Sequence, residues 1–411
     1  MTKANAKSEN TKFDIIIVGG GVYGAVIARE CARSGYSTVL IEKGEFCDST
    51  SANSLNVLHG GLRYLQHFNI KRMRRSINSR RYFQQISPRN IDYLPFLTPL
   101  DGWGINSPLV MRIALLLNDI ISIDRNRGTN EQQYLKSGSV LNRKTLLKEL
   151  PEFGDKQVSG AALWYEAVMN NVKQLVNDVL ESAEENGALL VNKTEAIELL
   201  HHAGKVTGLH CKDSEGNDLN YHGTIVIDTS GRTAEKLGSS LPGYPPIKQY
   251  WSRAVNMLID KRLFKGYSVG LKYSDNVKDK EAKFNKGNRH LFFVPLKTGS
   301  AVGTFYESEK MVNGQLDISP SDQQRYLDAV NSVLPQGTIT KDNITGWQSG
   351  WLPLDNASDN QLNFAKASRI RTIDSNGSFS GLIEVRSVKF TTAPSVAADV
   401  MALLGRLRNK E

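Results

Sequence analysis

Gly19, Gly21 and Gly24 stand in a G-x-G-x-x-G pattern directly after the apolar run Ile15-Ile-Ile-Val18, and Glu42 lies 18 residues beyond the last of them. This is the chemistry of a dinucleotide site. The first glycine allows the tight turn, the second lets a pyrophosphate approach the backbone, and the third lets the following helix pack close to the strand. A helix beginning near Ala25 turns its first N–H groups toward the phosphates. Glu42, at the end of the second apolar run (Ser37-Thr-Val-Leu-Ile-Glu42), can accept hydrogen bonds from both ribose hydroxyls and repels a 2′-phosphate. NADP is therefore disfavoured; NAD and FAD both remain open on these residues.

The elements that must hold these groups follow a readable order. Residues 168–186 carry Val172, Leu175, Val176, Val179 and Ala183 at helical spacing, and Gly187 ends the pattern. A short strand, Leu189 to Val191, comes next. A hairpin or meander is expected over 195–221, and a separate buried strand, Thr224 to Asp228, runs into Thr229-Ser-Gly231. That order is closer to the later part of an FAD-binding domain than to further βα units. From Tyr250 to Glu307, the runs Ala254–Ile259, Leu291–Leu296 and Ala301–Tyr306 suggest a separate antiparallel sheet, with a helix over 320–334 and a strand from Gln348 to Leu354. A last helix is expected from Val396 to Leu407.

Composition narrows the class. Of the 411 residues, 40% are apolar, enough for a substantial core, and no uncharged apolar stretch reaches the ~18 residues of a transmembrane helix. Residues 1–12 read as a disordered leader rather than a signal peptide. Three scattered cysteines, Cys31, Cys47 and Cys211, give neither a disulfide framework nor a metal site, and fit the cytoplasm. The net charge of +9 is uneven: from Ser49 to Ile91 there is no Asp or Glu, yet Arg63, Lys71, Arg72, Arg74, Arg75, Arg80, Arg81 and Arg89 fall there. Ile70, Met73 and Ile77 make 70–81 an amphipathic basic helix. It could meet an anionic membrane surface, steer an anionic substrate, or find its partners elsewhere in the fold. Nucleic-acid binding is not expected of a single helix without a binding module. A second, apolar helix, Ser107 to Ile123, reads as a core helix, with bilayer docking as the weaker reading.

The stretch Ser49-Thr-Ser-Ala-Asn-Ser-Leu-Asn-Val-Leu-His-Gly-Gly-Leu-Arg-Tyr64, with Leu94-Pro-Phe-Leu, the Arg112 helix, Thr229-Ser-Gly231 and Val388-Lys-Phe-Thr-Thr392, resembles the FAD-dependent glycerol-3-phosphate dehydrogenases, within the D-amino-acid-oxidase-like flavoproteins. The resemblance runs from Phe13 to Leu407. It implies an α/β fold: a discontinuous Rossmann-like FAD-binding domain (13–90, 150–235 and 345–411) and an antiparallel-sheet substrate domain (91–149 and 236–344). It implies that Gly19, Gly21, Gly24, Glu42 and Lys43 hold the ADP half of FAD. Ser49 and Ser51 would face the phosphates or ribityl chain, and Gly60, Gly61, Gly231, Thr391 and Thr392 would lie along the cofactor. His59, Arg63 and Lys389 become the catalytic candidates, with His59 as proton acceptor. Arg63, Tyr64, Trp351, Arg369 and Lys389 become the substrate contacts, with no metal.

The departures from that family bear on substrate. Where its members read Ser-Gly-Val-Arg-Pro-Leu, this chain has Ser349-Gly-Trp-Leu-Pro-Leu354. A second family arginine is lost at Ala393-Pro394, and the family's C-terminal helical domain is not seen. A phosphate clamp short of one arginine loses charge-assisted hydrogen bonds of about 1.5–3 kcal/mol each, and Trp351 offers an apolar surface instead. The expected activity is oxidation of a secondary alcohol in a glycerol-3-phosphate-like, anionic or glycosylated substrate by hydride transfer to flavin, with a quinone or another acceptor taking the electrons. The alternatives are an amine or amino-acid oxidase on the same fold, or an FAD-binding partner without turnover. The expected location is cytoplasmic, with a peripheral place on the inner membrane face through the basic helix 70–81.

Overall fold

A computed structural model describes residues 11–245, 249–273, 289–309, 312, 314, 316–334, 339–358, 361–365, 367–373 and 379–409. The expected leader falls outside these residues except for Thr11 and Lys12, and Lys12 already opens the first strand. The chain divides into two compact units. One comprises Met1–Ala52, Val172–Gln249 and Ala365–Glu411; the other comprises Asn53–Asn171 and Tyr250–Phe364.

The first unit is built on parallel strands. Ile15, Ile16 and Ile17 are wholly buried, as β-branched residues covered on both sheet faces should be. The strand order is Arg369–Thr372, Leu382–Arg386, Asp218–Asp228, Lys12–Val18, Thr38–Ile41, Leu189–Val191. The helix Val22–Arg33 links Lys12–Val18 to Thr38–Ile41, which pair in parallel. It packs against the helices Val172–Glu185 and Ala393–Arg408. The meander is present as Thr194–His202, Lys205–Asp213 and Asp218–Asp228. Its last member is one continuous strand, where the sequence suggested a break before Thr224. The first half of that strand pairs antiparallel with Lys205–Asp213, and its second half runs parallel to Lys12–Val18.

The second unit carries a ten-stranded sheet. Its order is Gln361–Phe364, Ile344–Ser358, Tyr250–Ile259, Gly299–Ser308, Arg289–Leu296, Ser268–Tyr273, Ile91–Leu100, Gly160–Met169, Val57–Leu58, and Ser139–Asn142 adds to Gly160–Met169. Its pairs are antiparallel except Ser268–Tyr273 with Ile91–Leu100. The core lies under the helix Pro320–Val333, among Val255, Met257, Phe293, Val302 and Leu327. The unit boundaries differ from the expected domain limits. Residues 53–90, 150–171 and 345–364, read as part of the FAD-binding domain, belong to the second unit, and 236–249 to the first. Strand pairing is the reason: Val57–Leu58 pairs with Gly160–Met169, and Gly160–Met169 pairs with Ile91–Leu100, partnerships between distant stretches of chain that local pattern does not encode.

Candidate active site

In the first unit, the glycine turn forms a cradle at the mouth of the parallel sheet. Gly19 has φ +100°, a left-handed conformation that side chains resist, and a Cβ there would come within 2.9 Å of the Thr229 and Ser230 backbone. A Cβ on Gly24 would lie 1.9 Å from the Gly19 carbonyl, so only glycine lets the helix close onto the strand. The helix Val22–Arg33 opens with no side-chain cap from its own Gly21. Instead the Ser51 hydroxyl accepts the Val22 N–H at 3.1 Å, which puts one of the expected cofactor hydroxyls at the helix N-terminus. Glu42 accepts the N–H of Gly20 at 2.6 Å and that of Gly44 at 2.9 Å. Each carboxylate oxygen keeps a further lone pair for a ribose hydroxyl.

The floor of the cradle holds buried polar atoms with open valences. Asp228 accepts the Ser230 N–H at 2.9 Å through Oδ1, while its Oδ2 and the Ser230 hydroxyl have no hydrogen-bond partner. Burial pushes the Asp228 carboxyl above the usual range. Beside it Arg386, almost fully buried, donates to the Gly231 carbonyl at 3.2 Å; its Nε and Nη2 make no hydrogen bond, with Nη2 3.7 Å from Glu384 Oε1. Gly231 itself is in the left-handed region, φ +70°. A backbone cradle open at a helix N-terminus, with an acid at the end of the second strand, fits the adenine-dinucleotide half of FAD. Lys43 and Ser49 sit on the exposed rim of the same unit.

Tyr23, inside the glycine motif, was not singled out in the sequence. Its buried hydroxyl donates to the Lys389 carbonyl at 2.8 Å and lies 2.7 Å from the Thr392 hydroxyl. It therefore pins the turn Phe390–Thr392 to the first helix. Lys389 is exposed and Thr391 is buried beside it. Arg369, expected as an anion ligand, is exposed on the strand Arg369–Thr372, in register with buried Arg386. Its neighbour Arg371 instead binds buried Glu384, at 2.6 Å through Nη2.

In the second unit, His59 stands with its side chain half exposed, edge-on to Phe96 at 6.4 Å between ring centroids. Its Nδ1 is 4.0 Å from Glu166 Oε1. Glu166 is 3% exposed; it accepts the Gly60 N–H at 2.6 Å and the Arg80 guanidinium at 2.9 Å. Burial pushes its carboxyl up, and Arg80 and the Gly60 N–H offset part of that rise. Glu166 was missed because nothing local marks it: it lies 106 residues from the loop it holds. Gly60 also has a packing reason within this unit. A Cβ there would sit 2.4 Å from Arg80 Nη1, so glycine makes room for the guanidinium. The backbone of Arg63 belongs to the turn Leu62–His67, and its side chain lies outside the described residues. Tyr64, expected at the substrate, is buried against Met73 and Ile77 with Arg72 over its ring at 4.5 Å. Trp351 is 7% exposed on Ile344–Ser358, paired across the strands with Arg253.

The basic helix is the main correction. It runs Ile70–Ile86, and its cations are turned into the fold. Arg80 is buried on Glu166, while Arg74 and Arg81 converge on Asp124. Of the helix's six cations only Lys71 is exposed, so most of the positive charge expected on the face of 70–81 is spent within the fold. The third reading, partners elsewhere in the fold, is the one the contacts support.

Among known proteins, a family model described as FAD dependent oxidoreductase matches residues 14–385. A glycerol-3-phosphate dehydrogenase from Synechocystis sp. is 26% identical over 416 residues, covering 97% of this chain and 71% of its own. An alpha-glycerophosphate oxidase from Enterococcus casseliflavus is 27% identical over 358 residues, covering 85% of this chain; the match spans 55% of the oxidase, little more than half its length. The solved structure of glycerol-3-phosphate dehydrogenase from Bacillus halodurans complexed with FAD superimposes with a TM-score of 0.72 at 18% identity, covering 99% of this chain and 67% of that one, which shows a shared fold.

Proposed function

The chain belongs to the FAD dependent oxidoreductase family, and on that premise we propose that it oxidises the secondary alcohol of a glycerol-3-phosphate-like or related anionic or glycosylated substrate. The reading is carried by one observation: a relative named glycerol-3-phosphate dehydrogenase and another named alpha-glycerophosphate oxidase align over 97% and 85% of the chain. FAD, bound in the cradle of the first unit, supplies the two-electron acceptor for the alcohol carbon.

The residues divide the remaining work. Gly19, Gly21, Gly24 and the open helix end bind phosphate, and Glu42 binds ribose. His59 accepts the hydroxyl proton at Nε2. Glu166 acts as a positioning residue: it fixes the loop through the Gly60 N–H and lies toward Nδ1, which turns the other ring nitrogen outward. Lys389 and Arg63 hold the substrate anion by charge. Leu352 stands where the family carries an arginine, and Trp351 beside it offers an apolar surface, which favours a substrate larger than glycerol 3-phosphate. A quinone is the proposed electron acceptor.

The test is anaerobic addition of glycerol 3-phosphate to the FAD-loaded protein while the flavin band is followed. Bleaching is expected, and His59→Ala should slow it by about 10²–10⁴-fold with FAD retained. Unchanged bleaching in that variant removes His59 as the base. If only a glycosylated alcohol bleaches the flavin, the substrate moves to that class; if only an amine does, the protein is an amine oxidase; if nothing does, the reading as an alcohol dehydrogenase is lost.

A further inference from the structure

The ten-stranded sheet of the second unit turns one face into the core, and its other face carries a row of uncharged groups. Along Tyr250–Ile259, Val255, Met257 and Ile259 pack under the helix Pro320–Val333, so Asn256 between them points to the other side. Register carries that side across four strands. Asn256 stands opposite Gln348 on Ile344–Ser358 and Gly303 on Gly299–Ser308, and Gly303 stands opposite Phe292 on Arg289–Leu296. Cross-strand partners share a face, so Phe292, Gly303, Asn256 and Gln348 form one row, about 14 Å long at about 4.8 Å per strand. The row begins at the candidate base: the Phe292 ring lies 6.4 Å from that of His59 and 5.8 Å from that of buried Phe96.

Phe292 is flanked across the sheet by Gly270 and Gly303. A Cβ on Gly270 would fall 2.7 Å from its ring, so the half-buried ring lies over that glycine as a platform. A Cβ on Gly303 would fall 2.3 Å from Asn256 Oδ1, so the second glycine makes room for the amide. That amide is held in place: Oδ1 accepts the Thr304 hydroxyl at 2.8 Å, and Nδ2 donates to the Asn53 carbonyl at 3.4 Å. A second Nδ2 hydrogen is left over. Beside it Gln348 Oε1 is shielded from water and has no hydrogen-bond partner, which is a costly state for an acceptor. Four residues along the same strand, and so on the same face, half-buried Leu352 fills the position of the family's arginine.

We infer that this row binds an uncharged, polyhydroxylated ring, a sugar-like group carried on the alcohol that the protein oxidises. The inference rests on the proposed alcohol oxidation and adds the group recognised beyond the reacting carbon. A phosphate on this face would need a cation, and neither the row nor Leu352 supplies one. Carboxamides suit hydroxyls because each offers an acceptor and donors, and every ring hydroxyl is itself both. The C–H face of a pyranose can lie on Phe292, with one hydroxyl donating to Gln348 Oε1 and another accepting from Asn256 Nδ2. That placement leaves the carbon to be oxidised at the His59 end of the row.

The experiment is calorimetric titration of the dithionite-reduced, FAD-loaded chain, in which an alcohol is not consumed. The probes are glycerol and glycerol carrying one glucose on a primary hydroxyl. The glucoside is expected to bind about tenfold tighter or more, and Gln348→Leu, which removes the amide and keeps a side chain of similar size, should erase most of that ratio. Equal affinities in the parent overturn the inference. So does an unchanged ratio in a Gln348→Leu protein that keeps the parent flavin spectrum. Where that variant loses its flavin, Leu352→Arg decides: it should weaken the glucoside and lower the Kd of glycerol 3-phosphate by about tenfold, and no change in either overturns the inference too. Binding is read apart from turnover. Glucoside binding without bleaching of the oxidised flavin would keep the sugar site and end the reading as an alcohol dehydrogenase. Bleaching by glycerol 3-phosphate, with no preference for the glucoside, would do the reverse.

Discussion

Two helices of the second unit, Ile70–Ile86 and Pro108–Ile121, exchange the roles their compositions suggest. The first has a cation at six of its 17 positions and is packed against the protein; the second is apolar along most of its length and faces water. Formal charge is not surface charge. Glu166 and Asp124, remote in sequence, take up this charge: Glu166 pairs with Arg80, and Asp124 is shared by Arg74 and Arg81. Hydrophobicity is not burial either, since a helix buries only the face another element covers. What separates the two cases is the placement of acids, which composition around either helix does not report.

The sharpest way to break this contrast is at the ion pair that anchors the basic helix. Glu166→Ala leaves the Arg80 guanidinium buried without a counter-charge, and should destabilise the second unit by about 3–5 kcal/mol in urea unfolding. A change below about 1 kcal/mol would mean that Arg80 is free to reach solvent and that the helix is a charged surface after all. Adjacent residues of the apolar helix offer the next test. Leu115→Ala should cost about 2–5 kcal/mol, whereas Leu116→Ala should stay within about 0.5 kcal/mol. Equal losses would show both faces to be covered.

The smallest effect is expected from Asp124. Arg74, and then Arg81, donate into its carboxylate and hold it well below the usual range. A depressed acid adds stability that is complete above its unfolded pKa of about 3.9 and drains away as pH falls below that value. Asp124→Asn should therefore lower stability by about 1–2 kcal/mol at neutral pH, with the difference from the parent shrinking in the acid limb of a pH–stability curve. A difference that stays constant down that limb would rule the pairing out.

Much of the first unit was readable because its signals are local. The glycine spacing, the short buried strands and the helix at 172–185 each follow from residues near one another. The His59 loop was readable as a pattern, but its support was not. Glu166, Tyr23 and Arg386 act on partners between 86 and 369 residues away, and no spacing rule reaches that far. The unit boundaries differ from the expected domain limits for the same reason, since they depend on which strands pair. Tyr64 was read at the substrate by its place beside Arg63, yet its ring completes a small core with Met73 and Ile77.

The strand order of the first unit also sets a timetable. Thr38–Ile41 and Lys12–Val18 leave the ribosome early, but Leu382–Arg386, which closes the far side of Asp218–Asp228, is made some 340 residues after Ile41. At about 5–20 residues per second, that is a wait of roughly 17–70 s. Throughout it the central strands of the nascent unit carry an open hydrogen-bonding edge, the kind that recruits foreign strands. The clasp of Tyr23 on Lys389 and Thr392 can form only when that wait is over.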